Sequence, residues 1–241
     1  MNDKSETELD YAVGQQRYRG LLLKDIGRQA KAAVVLLPDW RGRSALARDH
    51  AGHLVTLGCV VLIADLYGDG YSPDSPDQVG PMVKRLIDHR DRGVAALAAC
   101  VERLRREVPA GTSMLCLGYS AGGMVALDYG RSGADLAGII LCSALLKTAA
   151  ESMGTRIQAP VLILQGTQDQ VSPMQTIAEV IAEMDLAGND VRFELYSQTH
   201  HAFDNPDAGT DPTARLVYSP RSARRAQDAI AAFLTEVAER P

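Results

Sequence analysis

The chain has 241 residues, 46% of them hydrophobic and 23% charged, with a formal net charge of −5. A sequence of this size and balance can bury a sizeable core, and we read it as one α/β domain spanning 1–241. The mildly acidic balance argues against nucleic acid as the main partner, and no apolar stretch approaches the length needed to span a bilayer.

The opening MNDKSETELDY is polar and acidic, and it lacks the basic start and apolar core of a signal peptide. Residues 1–17 therefore read as an N-terminal extension or an early strand, and YRGLLLK (18–24) as an early antiparallel strand. Five near-continuous apolar runs follow: AAVVLLP (32–38), CVVLIAD (59–65), SMLCLG (113–118), AGIILCS (137–143) and APVLILQG (159–166). Runs of that kind suit strands buried on both faces of a parallel sheet. VRFELY (191–196) alternates more and fits a place nearer an edge.

Helix-like segments lie between them. Residues 44–57 end before Gly58, a C-terminal cap. Residues 78–107 hold one long helix or two shorter ones. Segments 174–187 and 221–238 follow Ser172-Pro173 and Ser219-Pro220, and each pair fits an N-cap with proline at the first helical position. In the last helix Ala226, Ile230, Phe233 and Val237 form one apolar stripe. The basic residues Arg103, Arg105 and Arg106 are interleaved with Glu102 and Glu107, which marks a solvated helix face more than a phosphate site. The four cysteines, Cys59, Cys100, Cys116 and Cys142, lie inside apolar segments without metal-ligand spacing and read as reduced core residues. A cytoplasmic location follows.

Strand and helix alternate from residue 32 onward, which predicts an open, mostly parallel sheet with helices on both faces. In such sheets ligands bind at the carboxyl ends of the strands. Gly118-Tyr119-Ser120-Ala121-Gly122 stands at one such end and matches G-x-S-x-G in a strand–turn–helix context. Side chains two positions either side of the serine would collide with the neighbouring strand and helix, hence the glycines. A serine hydroxyl needs a base. Of the five histidines, His50, His53 and His89 fall in predicted helices and read as surface or core residues. His200 and His201 follow 191–196, at another strand end. A carboxylate that orients the imidazole is supplied by Asp169, after 159–166. The order Ser, Asp, His along the chain is that of α/β-hydrolases. The competing reading is a glycine-rich turn with an incidental serine and a turn aspartate.

From about Tyr18 to the last helix the sequence resembles the dienelactone hydrolase family of α/β-hydrolases. The landmarks are LLPDWRG (36–42), VVLIADLYGDG (60–70), GYSAGG (118–123), LQGTQDQVSP (164–173) and HAFDNP (201–206). The resemblance implies an α/β-hydrolase fold without a large inserted cap, and hydrolysis of an ester or lactone through an acyl-enzyme. It implies His201, before Ala202-Phe203, as the base, with His200 a neighbour standing where glycine is common. It points to the backbone N–H groups of Trp40 and Ala121 as oxyanion donors. It also matches Asp39 to an acidic position that meets the resting nucleophile, although a plain loop aspartate fits as well. Trp40, Tyr67, Tyr119 and Phe203 are candidates for lining the substrate pocket, against ordinary packing.

Two features depart from the family. The nucleophile is serine where many members carry cysteine, so it depends fully on the base. The segment after His201 supplies Asp204, Asn205 and Asp207 and no arginine, which disfavours an anionic substrate unless Arg41, Arg43 or Arg85 compensates. The expectation is a serine esterase for a neutral small-molecule ester or lactone, with no metal or organic cofactor, no nucleic-acid or membrane partner, and a monomeric or small homo-oligomeric state. A true dienelactone hydrolase (carboxymethylenebutenolidase) acting on an anionic lactone and a non-catalytic ligand-binding protein are the alternatives.

Overall fold

A computed structural model describes residues 4–73, 75–147 and 154–238. Eight strands form one sheet: β1 (Lys4–Val13), β2 (Gln16–Asp25), β3 (Ala32–Leu37), β4 (Cys59–Ile63), β5 (Met114–Tyr119), β6 (Gly138–Cys142), β7 (Val161–Gly166) and β8 (Val191–Tyr196). Their spatial order is β1-β2-β4-β3-β5-β6-β7-β8. The first two strands are antiparallel and the six from β4 to β8 are parallel. The five apolar runs are the five central strands, and β8 is an edge, as its alternation predicts.

Successive residues of a buried strand feed two different cores. In β3, Ala33, Val35 and Leu37 face one layer, while Ala32, Val34 and Leu36 face the other. The first layer is closed by α3 (Arg90–Arg105), α4 (Ala121–Arg131) and α5 (Met174–Leu186), with Leu86 of α2 (Val79–Asp88). The second is closed by α1 (Ala45–Thr56) and α6 (Pro220–Ala238). The stripe Ala226, Ile230, Phe233 and Val237 of α6 is buried there. The four cysteines are free and buried within these cores. Burial pushes the Cys59 thiol up to about 11 and the Cys100 thiol up to about 12.

Several local expectations are corrected or sharpened. β1 is a full strand whose residues, Leu9 and Tyr11 apart, stay largely in contact with solvent, so its sequence carries little of the usual strand pattern. The segment 78–107 is two helices, and His89 is not helical but breaks them with φ −129° and ψ 53°. Gly58, at φ +94°, follows the cap residue of α1 as expected. Ser172 does not cap α5. Its buried hydroxyl donates to the Ala144 carbonyl at 2.9 Å and accepts the Leu146 N–H at 2.8 Å, which leaves Pro173 at the cap position. The basic face of α3 is bound in ion pairs, Arg103 to Glu107 at 2.7 Å and Arg105 to Glu102 at 3.3 Å. Among the described residues no helix is long and apolar enough to cross a membrane.

What matters for chemistry is the register. Leu37 pairs with Gly118, Tyr119 with Cys142, Cys142 with Leu164, and Gly166 with Tyr196. The carboxyl ends of β3, β5, β6, β7 and β8 therefore finish along one edge, and the loops leaving them share one rim.

Candidate active site

Ser120 leaves β5 in a tight turn with φ 49° and ψ −118°, a left-handed conformation that a non-glycine residue holds only under strain. α4 begins at the next residue. A Cβ on Gly118 would lie 2.6 Å from the Gly123 Cα, and one on Gly122 would lie 2.5 Å from the carbonyl oxygens of both Leu37 and Pro38. The glycines are thus required by close backbone approach. The second contact also seats the N-terminus of α4 on the end of β3, beside the loop that carries Asp39 and Trp40.

His201 and Asp169 complete a chain of contacts. Ser120 Oγ lies 3.0 Å from His201 Nε2, and His201 Nδ1 lies 2.8 Å from Asp169 Oδ2. A carboxylate only accepts, so Nδ1 carries the hydrogen and Nε2 is left to accept from the serine hydroxyl. Both His201 and Asp169 are buried. Asp169 is held by further donors. Its Oδ1 accepts the N–H groups of Val171 at 2.7 Å and Ser172 at 2.9 Å, and its Oδ2 accepts from Gln165 Nε2 at 2.9 Å. Gln165 is itself pinned by both the N–H and the carbonyl of Ala144, at 3.0 Å and 3.1 Å. The histidine loop is tied down as well. The His201 carbonyl accepts Val217 N–H at 3.1 Å, and Ser143 Oγ accepts Ala202 N–H at 2.8 Å while standing 3.4 Å from His201 Nδ1.

A cavity of about 600 Å³ opens over the serine, and Ser120, Ala121, His201, Asp39, Trp40 and Tyr119 all line it. Tyr67 and Phe203 do not. Phe203 is fully buried with its ring edge-on to Tyr196, because the backbone turn at Ala202 (φ 57°) sends it beneath the sheet edge. Tyr67 stands behind the loop after β3, where its hydroxyl donates to the Trp40 carbonyl at 2.8 Å. Asp65, just after β4, orders the loop that carries Tyr67: its carboxylate accepts the N–H groups of Tyr67 at 2.9 Å, Gly68 at 2.9 Å, Gly70 at 2.7 Å and, from β2, Arg19 at 3.0 Å. The Asp39 carboxylate turns to Arg41, whose Nη2 and Nε donate to Oδ2 at 2.9 Å and 3.1 Å. Among the described residues its hydrogen bonds go to Arg41 and not to Ser120. His200 flanks the site without lining the cavity, and its buried Nδ1 has no hydrogen-bond partner among the described residues.

Sequence reasoning assigned no part to Ser143, Gln165, or the cations Lys84, Lys147 and Arg215 that line the cavity. Gln165 had a signal, being the one polar side chain in VLILQG. Arg41 and Arg43, considered as anion holders, are instead committed to Asp39 and Glu8, and Arg85 lines a different cavity. A second, half-buried pair borders the site. His50 stacks on Tyr119 with ring centroids 4.2 Å apart, and its Nε2 lies 3.5 Å from Asp204 Oδ2. Burial lowers the imidazole pKa and raises the carboxyl pKa. Among the described residues no group of three or more His, Cys, Asp or Glu side chains is arranged to hold a metal ion.

An open sheet with this strand order and a strained serine turn between β5 and α4 defines an α/β-hydrolase fold. The dienelactone hydrolase family model matches residues 19–238, nearly the whole chain, and the protein belongs to that family. The structure of m3DLH is 31% identical, with 97% of this chain and 98% of that chain covered and a TM-score of 0.89. The dienelactone hydrolase-like promiscuous phosphotriesterase P91 from metagenomic libraries is 25% identical over 97% of this chain and 98% of that one, also at 0.89. A dienelactone hydrolase structure from Klebsiella pneumoniae, 19% identical over 98% and 100% of the two chains at a TM-score of 0.80, shares the fold. No curated protein matches the sequence. Family and fold together make this chain a hydrolase acting on a small molecule.

Proposed function

We propose that the protein is a serine esterase that cleaves a carboxylic ester or lactone through an acyl-enzyme. The reading rests on the relay from Ser120 Oγ through His201 to Asp169, at 3.0 Å and 2.8 Å, opening into the cavity at the strand ends. Ser120 attacks the carbonyl carbon while His201 Nε2 takes its proton. Asp169 holds the imidazole in the correct tautomer and stabilises the imidazolium. The N–H groups of Ala121 and Trp40 receive the oxyanion. The histidine returns the proton to the leaving alcohol, then activates water to release the acid. The chain acts as one catalytic unit of residues 1–241, in the cytoplasm, as a monomer or small homo-oligomer, without a metal or organic cofactor.

The test is hydrolysis of p-nitrophenyl acetate and butyrate near pH 8 by the wild type and by Ser120→Ala. Activity lost in the variant supports the reading. Equal rates in both would remove Ser120 as the nucleophile.

One observation favours a second reading of the substrate. Lys147 and Arg215 line the cavity and have no carboxylate partner among the described residues, so an anionic lactone has cations to meet despite the acidic segment after His201. Replacing both with glutamine should raise KM for an anionic lactone such as dienelactone and leave KM for a neutral ester unchanged. An equal change for both substrates would rule the second reading out.

A further inference from the structure

A second cavity, of about 390 Å³, lies on the far side of the loop after β4. That volume falls in the range of small-ligand pockets. It is enclosed by the β1–β2 hairpin, the loop carrying Leu66 and Tyr67, and the corner where His89 breaks α2 from α3. The inner surface is apolar and aromatic, with Leu66, Leu86, Tyr18 and Tyr67 forming it. The mouth is cationic. Arg85 and Arg92 stand on either side of the His89 corner, and both line the cavity.

Two features set these exposed arginines apart. Both guanidinium charges act on the Tyr18 phenol, opposing the rise in its pKa that burial causes. Neither has an ion-pair partner among the described residues, whereas Arg41 and Arg90 are each fixed on a carboxylate, at 2.9 Å and 3.0 Å. One carboxylate, Asp91, also lines the cavity. Two guanidiniums thus stand against one carboxylate at this cavity. The amide of Gln16 is occupied by the Arg17 carbonyl at 2.9 Å.

We propose that this cavity is a non-catalytic binding site for a small aromatic monocarboxylate. Its ring would lie among Tyr18, Tyr67, Leu66 and Leu86, and its carboxylate would meet Arg85 and Arg92. Guanidinium suits that role because its fork of donors matches a planar carboxylate. The apolar floor accounts for an aromatic ligand in place of a simple inorganic anion. The site is separate from the cavity over Ser120, and it stands independently of the role given to that serine.

The experiment is isothermal titration calorimetry of the full chain at low salt with 2-naphthoate as probe. Saturable binding is expected. Arg85→Gln/Arg92→Gln, which removes both charge-assisted contacts, should weaken it by at least about tenfold. Both positions are exposed on helices and glutamine is a good helix former, so the fold should hold, as circular dichroism would show. Lys147→Gln/Arg215→Gln, in the other cavity, should leave the affinity unchanged. The neutral 2-naphthylmethanol should bind at least about tenfold more weakly than the acid. The proposal is overturned by absence of saturable binding up to the solubility limit. It is equally overturned by an equal or larger loss in the Lys147/Arg215 variant, or by equal binding of the alcohol.

Discussion

Asp169 and Asp204 are both carboxyl groups facing a histidine, the first fully buried behind His201 and the second half-buried at the wall of the cavity. Their surroundings differ. Four hydrogen bonds converge on Asp169, from Val171, Ser172, Gln165 and His201, all at 2.9 Å or less. Asp204 stands 3.5 Å from His50, and burial moves each member of that pair toward its neutral form, with Asp39 adding to the rise at Asp204. A nearby histidine does not by itself make a carboxylate an orienting group. Donors placed by a rigid backbone do so, because they fix the direction in which the carboxylate faces the imidazole. The first pair is built to hold one geometry, and the second is a polar inclusion behind Tyr119.

The contrast can be broken most severely at the end proposed to be catalytic. Ser120→Ala should lower kcat/KM for p-nitrophenyl butyrate by about 10⁴-fold or more, measured by steady-state kinetics. Asp169→Asn should lower kcat by about 10⁴-fold with little change in KM, since an amide leaves the imidazole in the wrong tautomer. An Asp204→Asn variant with a loss of that size would erase the distinction between the two pairs. Gln165→Leu should cost about 1–3 kcal/mol in urea unfolding, as Ala144 and Asp169 lose a buried partner.

The smallest effects belong to the second pair, and they depend on pH. The folded pKa of Asp204 is raised by burial, so its contribution to stability is complete below the unfolded carboxyl value and fades as pH rises through the folded one. Asp204→Asn should therefore gain stability relative to the wild type as pH rises, by about 1 kcal/mol, the usual size of a single substitution. His50 runs the other way. Its lowered pKa makes its contribution complete above the unfolded value and lost as pH falls through the folded one, so His50→Gln should fare relatively better in acid. Melting curves between pH 4 and 8 would check both signs.

The sequence made the fold legible wherever a strand was buried on both faces, since an unbroken apolar run of strand length leaves no side fit to face water. It left β1 ambiguous because only Leu9 and Tyr11 of that strand are buried. The serine turn was legible because its glycines answer a local steric demand. Asp169 and His201 were legible because chain order and strand ends restrict where partners can stand. Phe203 and Tyr67 were not, since the direction of a loop side chain is decided by long-range bonds such as that of Tyr67 to the Trp40 carbonyl and by the turn at Ala202. The cations of the cavity come from three distant segments, so no local spacing announces them.

The Asp65 cluster carries a practical consequence for anyone trimming this chain. Tyr11 of β1 donates its hydroxyl hydrogen to the Asp65 carbonyl at 3.4 Å and accepts the Asp65 N–H at 3.0 Å, while Asp65 in turn sets Tyr67 against Trp40. The family match begins only at residue 19. A protein cut back to that boundary would keep Ser120, Asp169 and His201, yet would lose the far anchor of Tyr67 and, through it, of the Trp40 loop. The hairpin is remote from the candidate site in sequence and at the opposite edge of the sheet from β8, but mechanically it works as a tensioner, and shortening the protein there should slacken the site while leaving Ser120, Asp169 and His201 in the chain.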